Sequence, residues 1–312
     1  MSFVYAINDM DFSIMSDTKI SLNDDLKNLW NTEDERRIIE YFGLIKSIIV
    51  SPNIVVCYAG NNIDKAAELL RKIKSAEISL EQIIDFALEI HKKVKVNDIE
   101  FIIGYCDENG RELISIKNRE VIRNCKVAWI GSLYAYKEFK RRENDNAEKI
   151  KNRHKGIIIE RGDNQFKEIL DEELVGIYQI EQIFQEVVES GMDSTVGGMT
   201  VRIKIPMGKD TFEYMAGMSY ISSSWPQEVK SGEKLEFRVS AEEGSYCCNI
   251  YQSALNFCCY IYEDNLGIVY TDEQIYEKGL KGMKFPRLYK VDKEKFDLIA
   301  ENNGAFLCID LL

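Results

Sequence analysis

Residues 46 to 64 constrain this chain more than any other stretch. Ile48 to Val50 and Ile54 to Tyr58 are short apolar runs that flank Ser51-Pro52-Asn53. Proline presets one turn dihedral and asparagine tolerates a left-handed one, so the stretch predicts a tight β-hairpin. Ala59-Gly60 ends the second strand, and an amphipathic helix begins at about Asn62. Lys46 opens the first strand and Gly60 closes the second.

Phe3 to Ile7 is β-prone, Asn8-Asp9 signals a turn and Phe12 to Ser16 reads as a returning strand. The chain therefore opens with a hairpin that ties its first residues into a sheet. Residues 21 to 43 are polar and acidic and read as a short helical excursion. Ile63, Ala66, Ala67, Leu70 and Ile73 fall on one helical face. Ser79 followed by Gln82 is a capping box for a second helix, striped by Leu80, Ile83, Ile84, Ala87 and His91. Ile99 to Cys106 and Glu112 to Ile116 predict a hairpin in which Asn109-Gly110 supplies positive φ. Val127 to Gly131 is a further strand, and the charged residues 137 to 155 read as a solvated helix end and loop. A helix over 166 to 189 buries Ile169, Leu170, Leu174, Ile177, Ile180, Phe184 and Val188. Strands are expected over Met199 to Ile205 and Phe212 to Tyr220. Trp225-Pro226 marks a boundary. Beyond it, Leu235 to Val239, Tyr246 to Tyr251, Phe257 to Tyr262 and Gly267 to Tyr270 are β-like, and Ala305 to Leu312 closes the chain.

The net charge of −12 argues against nucleic acid as the main partner, because phosphate binding needs a basic face. The first residues lack the basic start and apolar run of a signal peptide, and no run of 18 apolar residues occurs. A cytoplasmic chain that does not cross a membrane is expected. Eight cysteines without a secretion signal fit reduced thiols, and Cys57, Cys106 and Cys308 sit in apolar runs. The pairs Cys247-Cys248 and Cys258-Cys259 lack the Cys-x-x-Cys spacing of zinc sites. Adjacent strand residues point to opposite faces, so each pair is expected to turn one thiol inward, with no metal. The two histidines, His91 and His154, are isolated, which disfavours a Ser-His-Asp triad.

Lys46 opening one strand, Gly60 closing the next and Ser16-Asp17-Thr18-Lys19 ending an earlier one resemble the proteasome β-subunit family of N-terminal-nucleophile hydrolases. Gly104 to Gly110 resembles that family's Gly-x-Asp-x-x-Gly hairpin, and Gly131-Ser132 its Gly-Ser turn. Asp193 followed by Gly197-Gly198 resembles its Asp-x-x-x-Gly-Gly segment. The likeness in order and spacing covers residues 1 to about 224. It implies an α+β fold: a four-layer αββα sandwich of two antiparallel sheets between helical layers. Residues 225–312 would form a small β-rich C-terminal extension.

In that family the first residue of the mature chain is the nucleophile. The resemblance implies that loss of Met1 exposes Ser2, whose hydroxyl attacks a peptide or other amide bond while its own α-amine takes the proton. An α-amine suits this role because its pKa, about 7.7 to 8, lies near working pH. A first hairpin of the family's full length would instead put Met1 at the nucleophile position. Carried over by position, Lys46 is the ammonium beside Ser2 and Asp17 its carboxylate partner. Gly60 offers a backbone N–H to the oxyanion, and Asp193 and Ser132, for which Ile130 is an alternative match, complete the set. The family's serine after the aspartate is Val196 here, with Ser194 or Thr195 in reach. Ile48, Tyr58, Asn62 and Ala66 would line the specificity pocket, and Tyr58 at its base would leave room for small side chains. No cofactor is implied. The family's rings imply a homo-oligomer and an unfolding ATPase or other regulatory partner. A catalytically inactive scaffold or sensor on the same fold, and a small-molecule amidase, are the alternative readings.

Overall fold

The computed structural model describes residues 2–9, 11–20, 42–75, 78–96, 98–153, 158–159, 168–169, 172–221, 246–262, 264–271 and 283–307. The expected excursion over 21–41, the Leu235 to Val239 run, His154 and Cys308 lie outside the described residues. The described residues form a mixed α+β fold with five helices, three larger antiparallel sheets and one two-stranded ribbon.

In chain order the first elements are β1 (Phe3–Asn8), β2 (Phe12–Asp17), β3 (Ser47–Ser51) and β4 (Ile54–Gly60). Helices α1 (Ile63–Ser75) and α2 (Leu80–Lys93) follow, then β5 (Ile99–Asp107), β6 (Gly110–Lys117), β7 (Glu120–Ile122) and β8 (Val127–Gly131). Helix α3 (Leu133–Arg153), the ribbon β9 (Ile158–Ile159) and β10 (Glu168–Ile169), and helix α4 (Glu172–Glu189) come next. Strands β11 (Thr200–Lys204), β12 (Glu213–Tyr214) and β13 (Gly217–Ile221) lead to β14 (Tyr246–Ile250), β15 (Gln252–Ser253), β16 (Phe257–Ile261), β17 (Leu266–Thr271) and β18 (Phe285–Lys290). Helix α5 (Lys293–Asn302) and β19 (Ala305–Phe306) close the chain.

The first sheet runs β19-β15-β12-β11-β2-β1-β8 and the second β3-β4-β5-β6-β7. Strand alternation explains how they meet. Val4, Ala6, Phe12 and Ile14 turn toward the second sheet and join the largest core, where a Cβ on Gly104 would lie 3.1 Å from the Phe12 ring. Phe3, Tyr5, Ile7 and Met15 turn the other way, onto Phe139 of α3 and Phe184 of α4. The stripes of α1 and α2 cover the second sheet with Ala66, Leu70, Ile83 and Ala87. The capping box at α2 forms as its residues require: Ser79 and Gln82 satisfy each other's backbone N–H groups.

Several local features differ from the sequence reading. The expected Phe212 to Tyr220 strand is split into β12 and β13, which lie in different sheets, and β18 and α5 were not expected. The β5–β6 loop is Glu108-Asn109, with only Gly110 at positive φ (154°), and the Asp107 carboxylate accepts the Asn109 and Gly110 N–H groups at 2.8 and 3.0 Å. The aspartate side chain supplies the turn that an Asn-Gly pair was expected to supply. Strand β7 was not expected; it returns through Asn118-Arg119, both left-handed (φ 54° and 65°). Helix α4 starts at Glu172, and Ile169 belongs to β10 instead.

The third sheet, β13-β14-β16-β17-β18, begins before Trp225 and continues after it. Its Cys259, Ile261, Ile268 and Tyr270 enter the largest core, while Cys258, Tyr260 and Val269 face Phe296 of α5. Both thiols of Cys258-Cys259 are therefore buried, because β16 is covered on both faces.

Candidate functional site

The ends of several strands converge on the start of β1. Ser2, just before that strand, is buried. Its carbonyl accepts the Ser132 N–H at 2.7 Å, and the next amide, Phe3 N–H, donates to Asp17 Oδ1 at 2.9 Å. The Ser2–Phe3 peptide is thus gripped on both sides. Ser2 shares its strand face with Val4 and Ala6, the face toward the second sheet.

Asp17 ends β2 and lies opposite both Phe3-side β1 and Thr200 of β11. Its Oδ2 is 2.8 Å from Lys46 Nζ, and both side chains are almost wholly buried, at 0% and 1% exposure. Gly197 N–H adds a bond to Oδ2 at 3.3 Å, and Lys46 Nζ also donates to the Lys19 carbonyl. Lys46 sits one residue before β3, fixed opposite Tyr58 by the Tyr58 N–H to Lys46 O bond of 3.0 Å. Taking two charges out of water costs several kcal/mol each, roughly, and only close pairing with further hydrogen bonds offsets it. Burial pushes the Asp17 carboxyl above its ordinary value and the Lys46 ammonium below its own, while each partner's charge pulls the other back.

Ser132 caps α3: its Oγ accepts the Ala135 N–H at 3.1 Å and donates to Asp193 Oδ2. Asp193 Oδ1 accepts the Thr195 N–H at 2.9 Å and its hydroxyl at 2.6 Å. Thr195 therefore supplies the hydroxyl near Asp193, and Val196 is buried against the helical side of the first sheet. Burial raises the Asp193 carboxyl, but hydrogen bonds from Ser132 and Thr195 outweigh it and hold the group below its ordinary value.

Gly60 has φ +143°, and a Cβ there would stand 2.2 Å from the Asp98 carbonyl, so only glycine fits. Asn61 N–H donates to Asp98 O on the β5 side, whereas Tyr58 N–H donates toward β3. Backbone alternation then turns the Gly60 N–H to the β3 side, past the start of that strand. Gly131 is equally constrained: φ is +95°, a Cβ would stand 1.9 Å from the Ser2 carbonyl, and its N–H donates to Glu100 Oε2 at 3.0 Å.

Among the residues expected to line a pocket, Ile48, Tyr58 and Ala66 are buried in the largest core and Asn62 is half-buried just before α1. The Tyr58 hydroxyl donates to the Ile45 carbonyl at 3.1 Å. The sequence reading did not single out Glu100, Lys117 or Trp129, which lie around the same strand ends. Gly131, with them, was read from the Gly-Ser pair before a helix. Glu100 had no such signal, since it lies within an apolar strand. Among the described residues, no cluster of three or more His, Cys, Asp or Glu side chains is placed to hold a metal, and no helix is long and apolar enough to cross a membrane. Comparison of the chain with models of protein families and with curated proteins found no match.

Proposed function

We propose that this chain is a proteasome-like N-terminal-nucleophile hydrolase of peptide or other amide bonds, with its two facing sheets and flanking helices arranged as a four-layer αββα sandwich. The observation that carries the reading is the buried Lys46–Asp17 pair, whose carboxylate also holds the Phe3 amide directly after Ser2. A fully buried ion pair is weak evidence for stability alone. Its placement against the first strand gives it a chemical use.

With its amine free, Ser2 attacks the substrate carbonyl through Oγ and its α-amine takes the hydroxyl proton. The Lys46 ammonium disfavours a second positive charge nearby and so keeps that amine a base. The Gly60 N–H stabilises the oxyanion. The carbon–nitrogen bond breaks, the leaving amine takes the proton from the α-ammonium, and an ester to Ser2 remains. Water, deprotonated by the same amine, cleaves the ester. Ser132 is a positioning residue here, holding the Ser2 carbonyl while Asp193 and Thr195 hold Ser132.

Intact mass before and after exposure to a peptide epoxyketone tests this. That electrophile reacts with a free N-terminal amine and an adjacent hydroxyl together. Loss of methionine and one adduct mapping to Ser2 is the expected result. Retained Met1 with no adduct would overturn the hydrolase reading and leave a scaffold.

A further inference from the structure

A cavity of about 520 Å³ opens beside Gly60 and Gly131, where β4, β5, β6 and β8 end. That size suits a small ligand or one side chain of a larger one. It adjoins the start of β1, since Gly131 packs on the Ser2 carbonyl.

Its chemistry is set by four side chains. Lys117 Nζ lies 3.4 Å from the centre of the Trp129 ring and 3.6 Å from Glu100 Oε1. Glu100 is 3% exposed, and its other oxygen is held by Gly131 N–H. The Lys117 charge is thus already matched by Glu100 and by the aromatic face. Asp98 adds a second carboxylate to the lining, half-buried, and among the described residues no cation pairs with it. Two carboxylates against one ammonium leave the lining one negative charge in excess. Val96 and Leu133, 45% and 52% exposed, provide apolar walls at the rim.

We infer that this cavity binds a guanidinium or primary ammonium group carried on a short alkyl stem. The stem would lie on the apolar walls, and the cation would meet Asp98, since Lys117 and Tyr136 already cover the two faces of the Trp129 ring. An anion would find its only cation already paired. The inference does not depend on Ser2 being a nucleophile. The same chemistry fits an arginine or lysine side chain of a peptide substrate and a free alkylamine.

Agmatine, titrated calorimetrically into the full chain at low ionic strength, is the probe. Saturable binding is expected, weakened at least tenfold in Asp98→Asn and unchanged in Ser2→Ala. Among the described residues the Asp98 side chain has no hydrogen-bond partner, and its backbone carbonyl, which holds Asn61 and Asn62, is retained in that variant. No binding, or binding indifferent to Asp98→Asn, would overturn the inference. The source is read from epoxyketone labelling of Ser2. Agmatine that slows labelling assigns the cavity to a substrate side chain; agmatine that binds without slowing it assigns the cavity to a free amine. Absence of any labelling removes the hydrolase reading and leaves the binding result standing.

Discussion

Lys46 and Asp17 depend on each other more than on the rest of the core. Removing the ammonium by Lys46→Met leaves the Asp17 carboxylate buried with only the Phe3 and Gly197 N–H groups. Such a loss costs about 3–5 kcal/mol. Asp17→Asn combined with Lys46→Met removes both charges and should be clearly more stable than Lys46→Met alone. Urea denaturation of the two variants checks this, and equal stabilities would mean that the pair is not energetically coupled. Both residues were found in the sequence through the resemblance, Lys46 opening one strand and Asp17 ending an earlier one; taken singly, each reads as a surface strand residue. Thr195 was legible only as one of two candidates, since turn geometry decides which hydroxyl reaches Asp193. Glu100 was not legible. Its carboxylate is buried because Gly131 and Lys117, distant in sequence, come to it across the strand ends.

The pairing of α3 with α4 rests on a charged cluster as well as on aromatic contact. Glu138 accepts from Arg141 and Arg142, and Arg142 reaches Glu186 of α4 at 3.1 Å. The Arg141 and Arg142 guanidiniums hold the Glu138 carboxyl down to about 2, from an ordinary 4.5. A carboxyl depressed by folding stabilises the fold above its unfolded value and loses that contribution as pH falls through its folded value. Glu138→Gln should therefore cost about 0.5–1 kcal/mol at pH 7, the range of partly exposed pairs. The gap from the parent chain should narrow as pH falls from 4.5 toward 2. Parallel denaturation curves at pH 7 and at stepped acid pH measure it, and a gap that widens in acid would contradict the assignment. At this scale helices α1 and α2 and the α2 capping box were legible, because periodicity and capping are local, whereas α5 was not read. Strand β7 was missed because its Asn118-Arg119 turn puts an arginine where glycine is usual. The bond from Arg119 N–H to buried His91 Nε2, at 2.9 Å, is a tertiary contact that holds this turn. No local pattern announces it.

The last third of the chain is built into the same core as the first two. Strands β15 and β19 extend the first sheet beyond β12, and Tyr214 of β12 pairs with Ser253. Tyr214 also ties the sheets together: its hydroxyl donates to the Ser47 carbonyl at 3.2 Å and accepts the Ile49 N–H at 3.3 Å. Those residues belong to β3, the strand that Lys46 leads into. Phe257 of β16 meets the Tyr214 ring edge-on at 5.6 Å. C-terminal residues thus brace the strand that positions the buried lysine. Sequence pattern found β14, β16 and β17 but neither β15 nor β18, and gave no sign of their partners, because strand pairing between distant segments leaves no local periodicity. A chain ending at residue 224 would lose Cys248, Ile250, Phe257, Cys259, Ile268 and Tyr270 from the largest core and leave β12 with β11 as its one neighbour. That chain is expected to show no cooperative unfolding transition. Phe257→Ala in the full chain should keep one transition, lowered by about 3–5 kcal/mol. A cooperative, native-like melt of the 1–224 fragment would show that the first two thirds fold alone and that the bracing through Tyr214 is dispensable.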